Sequence, residues 1–394
     1  MIEARPQPAR KRRSISWRSR EGRSVIYQVV AILSVIGAIA LLVRNTLANM
    51  RERGIQSGYD FLNQPFGFDV SETLIPYEIT STYWTAFAIG MANTLKVAVV
   101  GIILATIVGT LVGVGRYSAN WLVRKLCYAY VEFFRNVPIY LQLLIWYIVF
   151  TEVLPSYDEL WQIGHFYLSK NGFSFPWPVW LLGQNLAMAG GLLGVVAAWL
   201  YARRSRRLFD QTGQQRPVAL VGLALIVGMA IVGWLAGGAP NEWSLPSRGT
   251  FQIENGASVT PEYLALLIGL VLYTAAFIAE VVRAGILAVD RGQGEAAMAL
   301  GLSPGQRLRL ITLPQALRVI IPPMTSQYLN LTKNSSLAVA IGYPDLVAIA
   351  NTTMNQTGQA IEAIAMLMAV YLSISIAISL FMNWYNARVR LVER

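Results

Sequence analysis

The chain has 394 residues, of which 55% are hydrophobic and only 13% are charged, and its formal net charge is +11 at pH 7. Ordinary soluble domains carry about 25% charged residues, so this composition excludes a soluble globular protein and indicates a membrane protein. The positive charge does not favour a nucleic-acid-binding protein. The Arg-rich segment 5–23 directly precedes an apolar run, where basic residues commonly orient a membrane protein or contact anionic lipids.

Eight apolar runs follow along the chain, each long enough to cross a hydrocarbon core of roughly 30 Å as a helix. They cover residues 25–43, 91–115, 126–153, 179–200, 217–237, 261–288, 319–343 and 359–385. They predict an all-α fold, a polytopic bundle of about eight transmembrane helices. The first run is longer than a signal-peptide core and lacks a small-residue cleavage pattern, so we expect it to be retained as an anchor.

The distribution of basic residues predicts the orientation of this bundle. If both termini are cytoplasmic, the inside segments hold 23 Lys and Arg residues and the outside segments hold 5. The inside segments are 1–24, 116–125, 201–216, 289–318 and 386–394, and the outside segments are 44–90, 154–178, 238–260 and 344–358. Because cytoplasmic loops of membrane proteins carry an excess of Lys and Arg, we expect both termini to be cytoplasmic.

The sequence offers no pattern for catalysis or for a cofactor. A single cysteine, Cys127, excludes an intrachain disulfide and a cysteine-based metal site. The single histidine, His165, has no second ligand or base at a useful spacing. The chain contains no GxxxxGK[ST] phosphate loop and no Gly-Lys pair. We therefore expect no enzyme activity and no cofactor or metal in this chain, and any ATP that drives it must bind another subunit.

The cytoplasmic segment 289–318 carries local signals for two short helices. Residues 295–300 are good helix formers, and Gly301 stands where a helix C-terminus commonly turns left-handed. Ser303 and Gln306 form a capping box that starts a second helix. This second helix then meets Pro314.

The first of these two helices has small side chains. Ala296, Ala297 and Ala299 would let it enter a narrow groove on a partner, and Glu295 would favour the positive end of the helix. On residue composition alone, a plain amphipathic connector remains an equal alternative.

This segment resembles the EAA loop of ABC importer permeases, whose pattern is EAA-x3-G-x9-I-x-LP. The matching residues are Glu295, Ala296, Ala297, Gly301, Ile311, Leu313 and Pro314. A wider similarity to the polar amino-acid permease family extends over about half of the chain. It rests on Asn93–Lys96, Phe133–Pro138 with Gln142, Tyr273–Arg283, Pro314–Arg318 and Lys333–Leu337. An extra N-terminal span and an insertion enlarge the five-span family core, and this layout resembles general L-amino-acid permeases of Gram-negative bacteria.

The resemblance implies a division of the chain around a five-helix permease core. Residues 91–153 and 261–385 form the core, which includes the coupling loop 289–318, and residues 154–260 form an insertion with two further spans. The remaining parts are a basic cytoplasmic tail at 1–24, an extra span at 25–43, a periplasmic segment at 44–90 and a cytoplasmic tail at 386–394.

The resemblance also implies partners and a location in the bacterial inner membrane, in contact with membrane lipids. A periplasmic amino-acid-binding protein would deliver substrate, and a second homologous permease would complete the path, with a heterodimer expected. Cytoplasmic ATPase subunits would bind ATP and Mg and receive the coupling loop. The chain itself would hold no cofactor and would bind no nucleic acid.

Polar residues inside the predicted spans are candidates for the transport path. A lysine at the centre of a membrane costs about 2.5–3.5 kcal/mol on insertion scales, so Lys333 requires a partner or a water-filled cavity. One hypothesis is a Lys333–Glu280 ion pair. The other is that Lys333 or Arg283 binds the α-carboxylate of a substrate. The full set of path candidates is Glu280, Arg283, Asn330, Lys333, Asn334 and Ser336.

Two other classes of protein remain as alternatives at this stage. A secondary transporter driven by an ion gradient would need a titratable relay, and the spans offer few carboxylates besides Glu280. A membrane scaffold without a transport path would leave the polar cluster at 330–336 unexplained.

Overall fold

A computed structural model describes residues 20–52, 58–214, 216–250 and 252–389. The helices are α1 (Arg20–Glu52), α2 (Tyr83–Gly115), α3 (Trp121–Asn136), α4 (Ile139–Ile148), α5 (Leu182–Thr212), α6 (Val218–Ala236), α7 (Pro261–Leu287), α8 (Arg291–Ala299), α9 (Pro304–Arg307), α10 (Leu313–Asn334), α11 (Leu346–Thr357) and α12 (Ala360–Val389). Most of the tail 1–24 and the last five residues of the tail 386–394 lie outside the described residues.

The prediction of a helical membrane bundle is confirmed. Within the described part, six helices are each long and apolar enough to cross a membrane alone, namely α1, α2, α5, α6, α7 and α12. Two pairs of bent helices pass the same test together, which gives up to eight spans. Helix α2 begins at Tyr83, eight residues before the start of the predicted run, because its first two turns pack on the preceding segment.

The predicted span 126–153 is not one continuous helix. Helices α3 and α4 meet at an angle of 103°. Val137, between them, has an extended backbone, which a residue before proline prefers because the ring of Pro138 clashes with a helical conformation. The side-chain amide of Gln142 donates to the carbonyl oxygens of Phe134 (3.0 Å) and Val137 (2.9 Å). Gln142 therefore stabilises the bend of its own span rather than a contact with a neighbouring helix.

A second bend lies at the end of the span predicted at 319–343. Helix α10 runs into a 3-10 turn at Ser335–Ile341, after which Gly342 adopts a left-handed conformation with φ of 78°. Helix α11 then leaves at an angle of 50°. The break falls at the Gly-Tyr-Pro sequence, where only glycine adopts the left-handed conformation without strain. Pro322 and Pro323 lie inside α10 and do not end it.

The predicted permease core is centred on α7, the most buried of the six single-helix spans described. Small residues allow close packing of α2 on α7, since a Cβ atom at Gly109 would lie 2.6 Å from the Ile278 side chain. A Cβ atom at Gly113 would likewise lie 2.8 Å from the Val282 side chain. Close approach through small residues is a usual basis of helix association in membranes, where apolar burial gives little driving force.

The insertion contains a helical hairpin and a small β-structure. Helices α5 and α6 pack on each other through glycines, and a Cβ atom at Gly194 would lie 2.6 Å from the Ile226 Cα atom. Within the described residues, neither helix packs extensively on the permease core. The strands beside this hairpin were not predicted from the sequence. They are β1 (Trp161–Ile163), β2 (Phe166–Ser169), β3 (Gly172–Phe175), β4 (Trp177–Pro178), β5 (Trp243–Ser244), β6 (Ser247–Arg248), β7 (Ile253–Glu254) and β8 (Ala257–Val259).

All described strand pairs are antiparallel. Strands β1, β2, β3 and β8 form one sheet in that order, and β4–β5 and β6–β7 form two-stranded ribbons. The register pairs Ser169 with Gly172 in the β2–β3 hairpin and Phe173 with Val259 between β3 and β8. The sheet thus connects the start of the insertion with the residues that lead into α7.

Candidate coupling loop and transport path

The first helix of the loop, α8, begins earlier than the sequence predicts. The carboxylate of Asp290 accepts a hydrogen bond of 2.7 Å from the Gly292 amide and forms the N-cap, so the helix starts at Arg291. Glu295 therefore lies in the interior of the helix and not at its positive end. Its side chain is exposed to solvent.

The end of α8 forms as predicted at Gly301. This residue has φ of 76°, and its amide donates to the Met298 carbonyl (2.9 Å). The Leu302 amide donates to the Ala297 carbonyl (3.1 Å). This pair of bonds is a Schellman motif, which satisfies two carbonyls that the helix end would otherwise leave without partners.

The predicted capping box of the second helix is also present. The Ser303 amide donates to the Gln306 side-chain oxygen (3.0 Å), and the Gln306 amide donates to the Ser303 hydroxyl (3.4 Å). The helix does not end at Pro314. It continues through a π-helical turn at Leu308–Thr312 into α10. Pro314, which has no amide hydrogen, lies in the first residues of α10, directly after this π-helical turn.

The three alanines of α8 do not form one accessible face. Ala297 is only 3% exposed, whereas Ala296 and Ala299 are exposed. The most exposed large apolar side chain of the loop is Leu300, at 81%. Other large apolar side chains of the segment are exposed as well, namely Met298, Leu308, Leu310 and Leu313. The accessible surface of the loop therefore includes large apolar side chains as well as the alanines.

Glu280 lies in a cluster of arginines where α2, α3 and α7 meet. Its carboxylate forms ion pairs with Arg116 and with Arg283, whose Nε atom lies 2.9 Å from Oε1. Arg135 at the end of α3 lies 3.9 Å away. The proposed Lys333–Glu280 ion pair is wrong, because these three guanidinium groups surround the carboxylate. The sequence shows the Glu280–Arg283 spacing, but it does not indicate that Arg116 is a partner.

Lys333 lies on an exposed polar face of α10. Ser326, Asn330 and Lys333 recur at intervals of four and three residues, so they share one side of the helix. The opposite side, which includes Met324 and Leu331, is buried. Among the residues that the structure describes, no carboxylate lies within ion-pair distance of Lys333. The Ser336 hydroxyl donates to the Lys333 carbonyl (2.6 Å).

The two groups of path candidates lie at different depths. Helices α7 and α10 are antiparallel, because Gly285 packs on Ile320 and Tyr263 packs on Tyr343. In this alignment Lys333 is level with the middle of α7, about eight residues or roughly 12 Å from the level of Glu280. The structure therefore brings Asn330 and Lys333 together but separates them from Glu280 and Arg283.

A buried polar cluster lies at the N-terminal half of α2, away from the coupling loop. It joins α2 to the segment before it and, through Glu72, to the start of α7. The Glu72 carboxylate forms an ion pair with Lys96 and accepts hydrogen bonds from the Thr260 amide (3.0 Å) and hydroxyl (2.7 Å). The Asn93 side-chain amide donates to the Glu72 carbonyl (2.8 Å) and the Pro344 carbonyl (2.9 Å). Sequence reasoning missed Glu72, because it lies far from its partners along the chain.

Comparison with known proteins supports a transport role. The family model for a "binding-protein-dependent transport system inner membrane component" matches residues 190–391. The general L-amino acid transport system permease protein AapQ of Rhizobium johnstonii is 45% identical over 375 residues, which cover 94% of this chain and 93% of that protein. The putative amino-acid ABC transporter permease protein YhdX of Escherichia coli is 43% identical over 97% of this chain and 98% of that protein.

Two further comparisons are more distant. The glutamate/glutamine/aspartate/asparagine transport system permease protein BztB of Rhodobacter capsulatus is 38% identical over 94% of this chain and 95% of that protein. A crystal structure of an amino acid ABC transporter with histidines covers 78% of this chain and 95% of that chain, with a TM-score of 0.46 and 18% identity.

Proposed function

Because this chain belongs to the family of inner-membrane components of binding-protein-dependent transport systems, we propose that it is a permease subunit of an ATP-driven importer of L-amino acids. The proposal of L-amino acids rests on the relatives described above, each similar over nearly the whole chain. A periplasmic binding protein would deliver the amino acid, and a second, similar permease would complete the path as a heterodimer. The bacterial inner membrane is the location, with both termini in the cytoplasm.

The rigid connection between α8 and α10 is the observation that carries the proposed coupling. Gly301 and Ser303 satisfy the helix ends on both sides of the turn, and the second helix passes into α10 without an interruption. The side-chain amide of Gln315 also donates to the Gln293 side-chain oxygen (3.4 Å) and joins α8 to α10. A displacement of α8 by a partner therefore moves α10 instead of being absorbed by a flexible loop.

The partner that displaces α8 would be a cytoplasmic ATPase that binds ATP and Mg. Leu300 and Met298 project from the loop as exposed apolar side chains, and buried apolar side chains are typical of the centres of protein interfaces. The EAA-loop residues Glu295, Ala296 and Gly301 shape this surface, and buried Ala297 supports it from within. Ile311, Leu313 and Pro314 lie at the junction with α10.

The substrate path would run along the polar face of α10. A lysine facing lipid at this depth is unfavourable by about 2.5–3.5 kcal/mol, so the face requires water or protein against it. A water-filled path between two permeases meets this requirement. Lys333 would bind the α-carboxylate, and Asn330, Asn334 and Ser336 would supply hydrogen bonds. Glu280 and Arg283 form an ion pair with each other, and we assign them a structural role at the cytoplasmic end of the path.

The experiment that tests this function is purification of the tagged chain from its own host, with identification of the copurifying proteins. We expect an ATPase, a second permease and ATP-dependent uptake of labelled L-amino acids when the purified complex is reconstituted into liposomes with its binding protein. Uptake driven by an ion gradient in the absence of the ATPase would contradict the proposal. A control in the same assay uses a non-hydrolysable ATP analogue, which should not support accumulation.

A further inference from the structure

A large apolar cleft opens between α2, α7, α10 and α12. Its volume is about 1050 Å³, and among its lining side chains are Leu111, Leu317, Met324, Phe381 and Met382. This volume is at the upper end of the roughly 300–1,000 Å³ that is usual for ligand pockets. The cleft lies at the coupling-loop side of the protein, because the C-terminal parts of α2, α7 and α12 and the N-terminal part of α10 line it. The cleft is therefore large enough for long apolar chains.

Two of the polar side chains in this cleft, Thr106 and Tyr328, contact each other. The Thr106 hydroxyl donates to the Ile102 carbonyl (2.6 Å) and lies 3.0 Å from the Tyr328 hydroxyl. Among the residues that the structure describes, those that line the cleft carry no charged side chain. An amino acid would have to bury its charged ammonium and carboxylate groups there without compensation, which is strongly unfavourable. The lining thus favours a hydrocarbon ligand and not a polar substrate.

A second, smaller pocket of about 250 Å³ lies beside this cleft and is rich in arginine. Arg116, Arg124 and Arg283 line it, and Tyr117 lines both cavities. Tyr117 is held in place by a hydrogen bond of 2.9 Å from its hydroxyl to the Arg283 carbonyl. An apolar cleft and a basic pocket therefore share one wall.

The basic pocket has more positive than negative charge. Arg116 and Arg283 both pair with the single carboxylate of Glu280. The guanidinium group of Arg124 donates to the Ser118 carbonyl (3.3 Å) and, among the described residues, has no carboxylate partner. The pocket can thus accept an anion, with exposed Arg124 as the residue most available to it.

We propose that the cleft and the arginine pocket together bind one anionic phospholipid, with its acyl chains in the cleft and its phosphate on Arg124. The lipid matches both cavities, because it joins a hydrocarbon part to a negative headgroup. Leu308, Thr312 and Leu313 line the cleft at the π-helical turn before α10. A bound lipid would therefore pack against the segment that joins the coupling loop to the bundle.

The test uses the full-length chain, in complex with its partners, in nanodiscs. The probes are phosphatidylglycerol and phosphatidylcholine that carry the same photoreactive group in an acyl chain, and crosslinked peptides are identified by mass spectrometry. We expect both α10 and α12 peptides of the cleft to be labelled about fivefold more by phosphatidylglycerol, since one basic residue near an anionic lipid contributes about that factor. The Arg124→Gln variant should lose this preference.

The matched control is Arg204→Gln, which removes another exposed arginine that lies on α5 and does not line the cleft. It should keep the wild-type preference. Equal labelling by the two lipids in the wild-type protein would overturn the proposal, as would an absence of labelling in the cleft. Crosslinking of the second permease to the cleft residues would show that protein covers the cleft, and would also overturn it. The wild-type comparison does not depend on the folding of any variant.

Discussion

Glu72 and Lys96 form a buried ion pair that fastens the segment before α2 to α2 itself. Lys96 also lies 4.2 Å from the centre of the Tyr263 ring, at the start of α7. The same carboxylate caps α7 through Thr260. The Glu72 carboxylate thus joins the segment before α2, α2 itself and the start of α7 at the end of the bundle away from the coupling loop.

Removal of Glu72 should destabilise the protein more than removal of the whole ion pair. Glu72→Gln leaves Lys96 buried without a countercharge, which typically costs about 3 kcal/mol, whereas Glu72→Gln with Lys96→Met leaves no uncompensated charge. Thermal unfolding in detergent measures both variants. Glu152→Gln is the control, because Glu152 is exposed and lies 3.9 Å from Lys170, so its loss should change stability by less than about 1 kcal/mol. A double variant as unstable as Glu72→Gln would contradict this account.

Gly301→Ala should weaken coupling without a steric clash. A Cβ atom at this position meets nothing within 4 Å, but φ of 76° is strained by about 1–2 kcal/mol for an L-residue. We expect faster amide hydrogen exchange at the end of α8 and weaker copurification of the ATPase. The control is Gly305→Ala, where a Cβ atom also meets nothing within 4 Å and the backbone is helical. Equal effects of the two substitutions would rule out the proposed conformational role.

Leu300→Glu should prevent docking of the ATPase while the chain still folds and inserts. Leu300 is 81% exposed, so a charge there costs little in the isolated chain but is unfavourable in an apolar groove. We expect at least about a tenfold loss of affinity, as for a central interface residue. Ile163→Glu is a matched control, because Ile163 is also 81% exposed and lies on the β1 strand of the insertion. Normal ATPase binding by Leu300→Glu would exclude this surface as the docking site.

Lys333→Met should raise the half-saturation concentration for uptake by about tenfold, equivalent to about 1.4 kcal/mol, if its ammonium group binds the substrate carboxylate. Uptake into proteoliposomes over a range of amino-acid concentrations measures this effect. Lys170→Met, on a half-buried lysine of the insertion that pairs with Glu152, should leave uptake unchanged. Wild-type uptake kinetics in Lys333→Met would show that Lys333 does not contact the substrate.

Glu280→Gln should lower the amount of stable protein and not the affinity for substrate. The substitution removes the carboxylate shared by Arg116 and Arg283, and loss of charge-assisted hydrogen bonds to it should cost about 2 kcal/mol. Thermal unfolding in detergent should show the loss, while the half-saturation concentration of the remaining transporter stays the same. A changed half-saturation concentration with normal stability would place Glu280 in the substrate path instead.

Some features of the fold were not predicted from the sequence, because their local sequence signals are weak. Pro138 lies inside an apolar run and indicates a helix boundary, yet hydropathy alone joined the two sides into one span. The Asn171-Gly172 pair is a turn signal that precedes β3, but strands this short have little periodicity. The start of α2 was missed for a different reason, because its first turns are stabilised by packing against residues 58–82.

The sequence by itself determined the membrane class, the approximate positions of the spans and the local design of the coupling loop. These depend on interactions between near neighbours or with the bilayer: apolar runs must cover its hydrocarbon core, and Gly301, Ser303 and Gln306 satisfy helix ends within a few residues. Only the tertiary structure decided that Glu280 pairs with Arg116, that Glu72 pairs with Lys96 and that Ala297 is buried. Such contacts join residues distant in the chain, and helix packing selects them from many chemically equivalent partners.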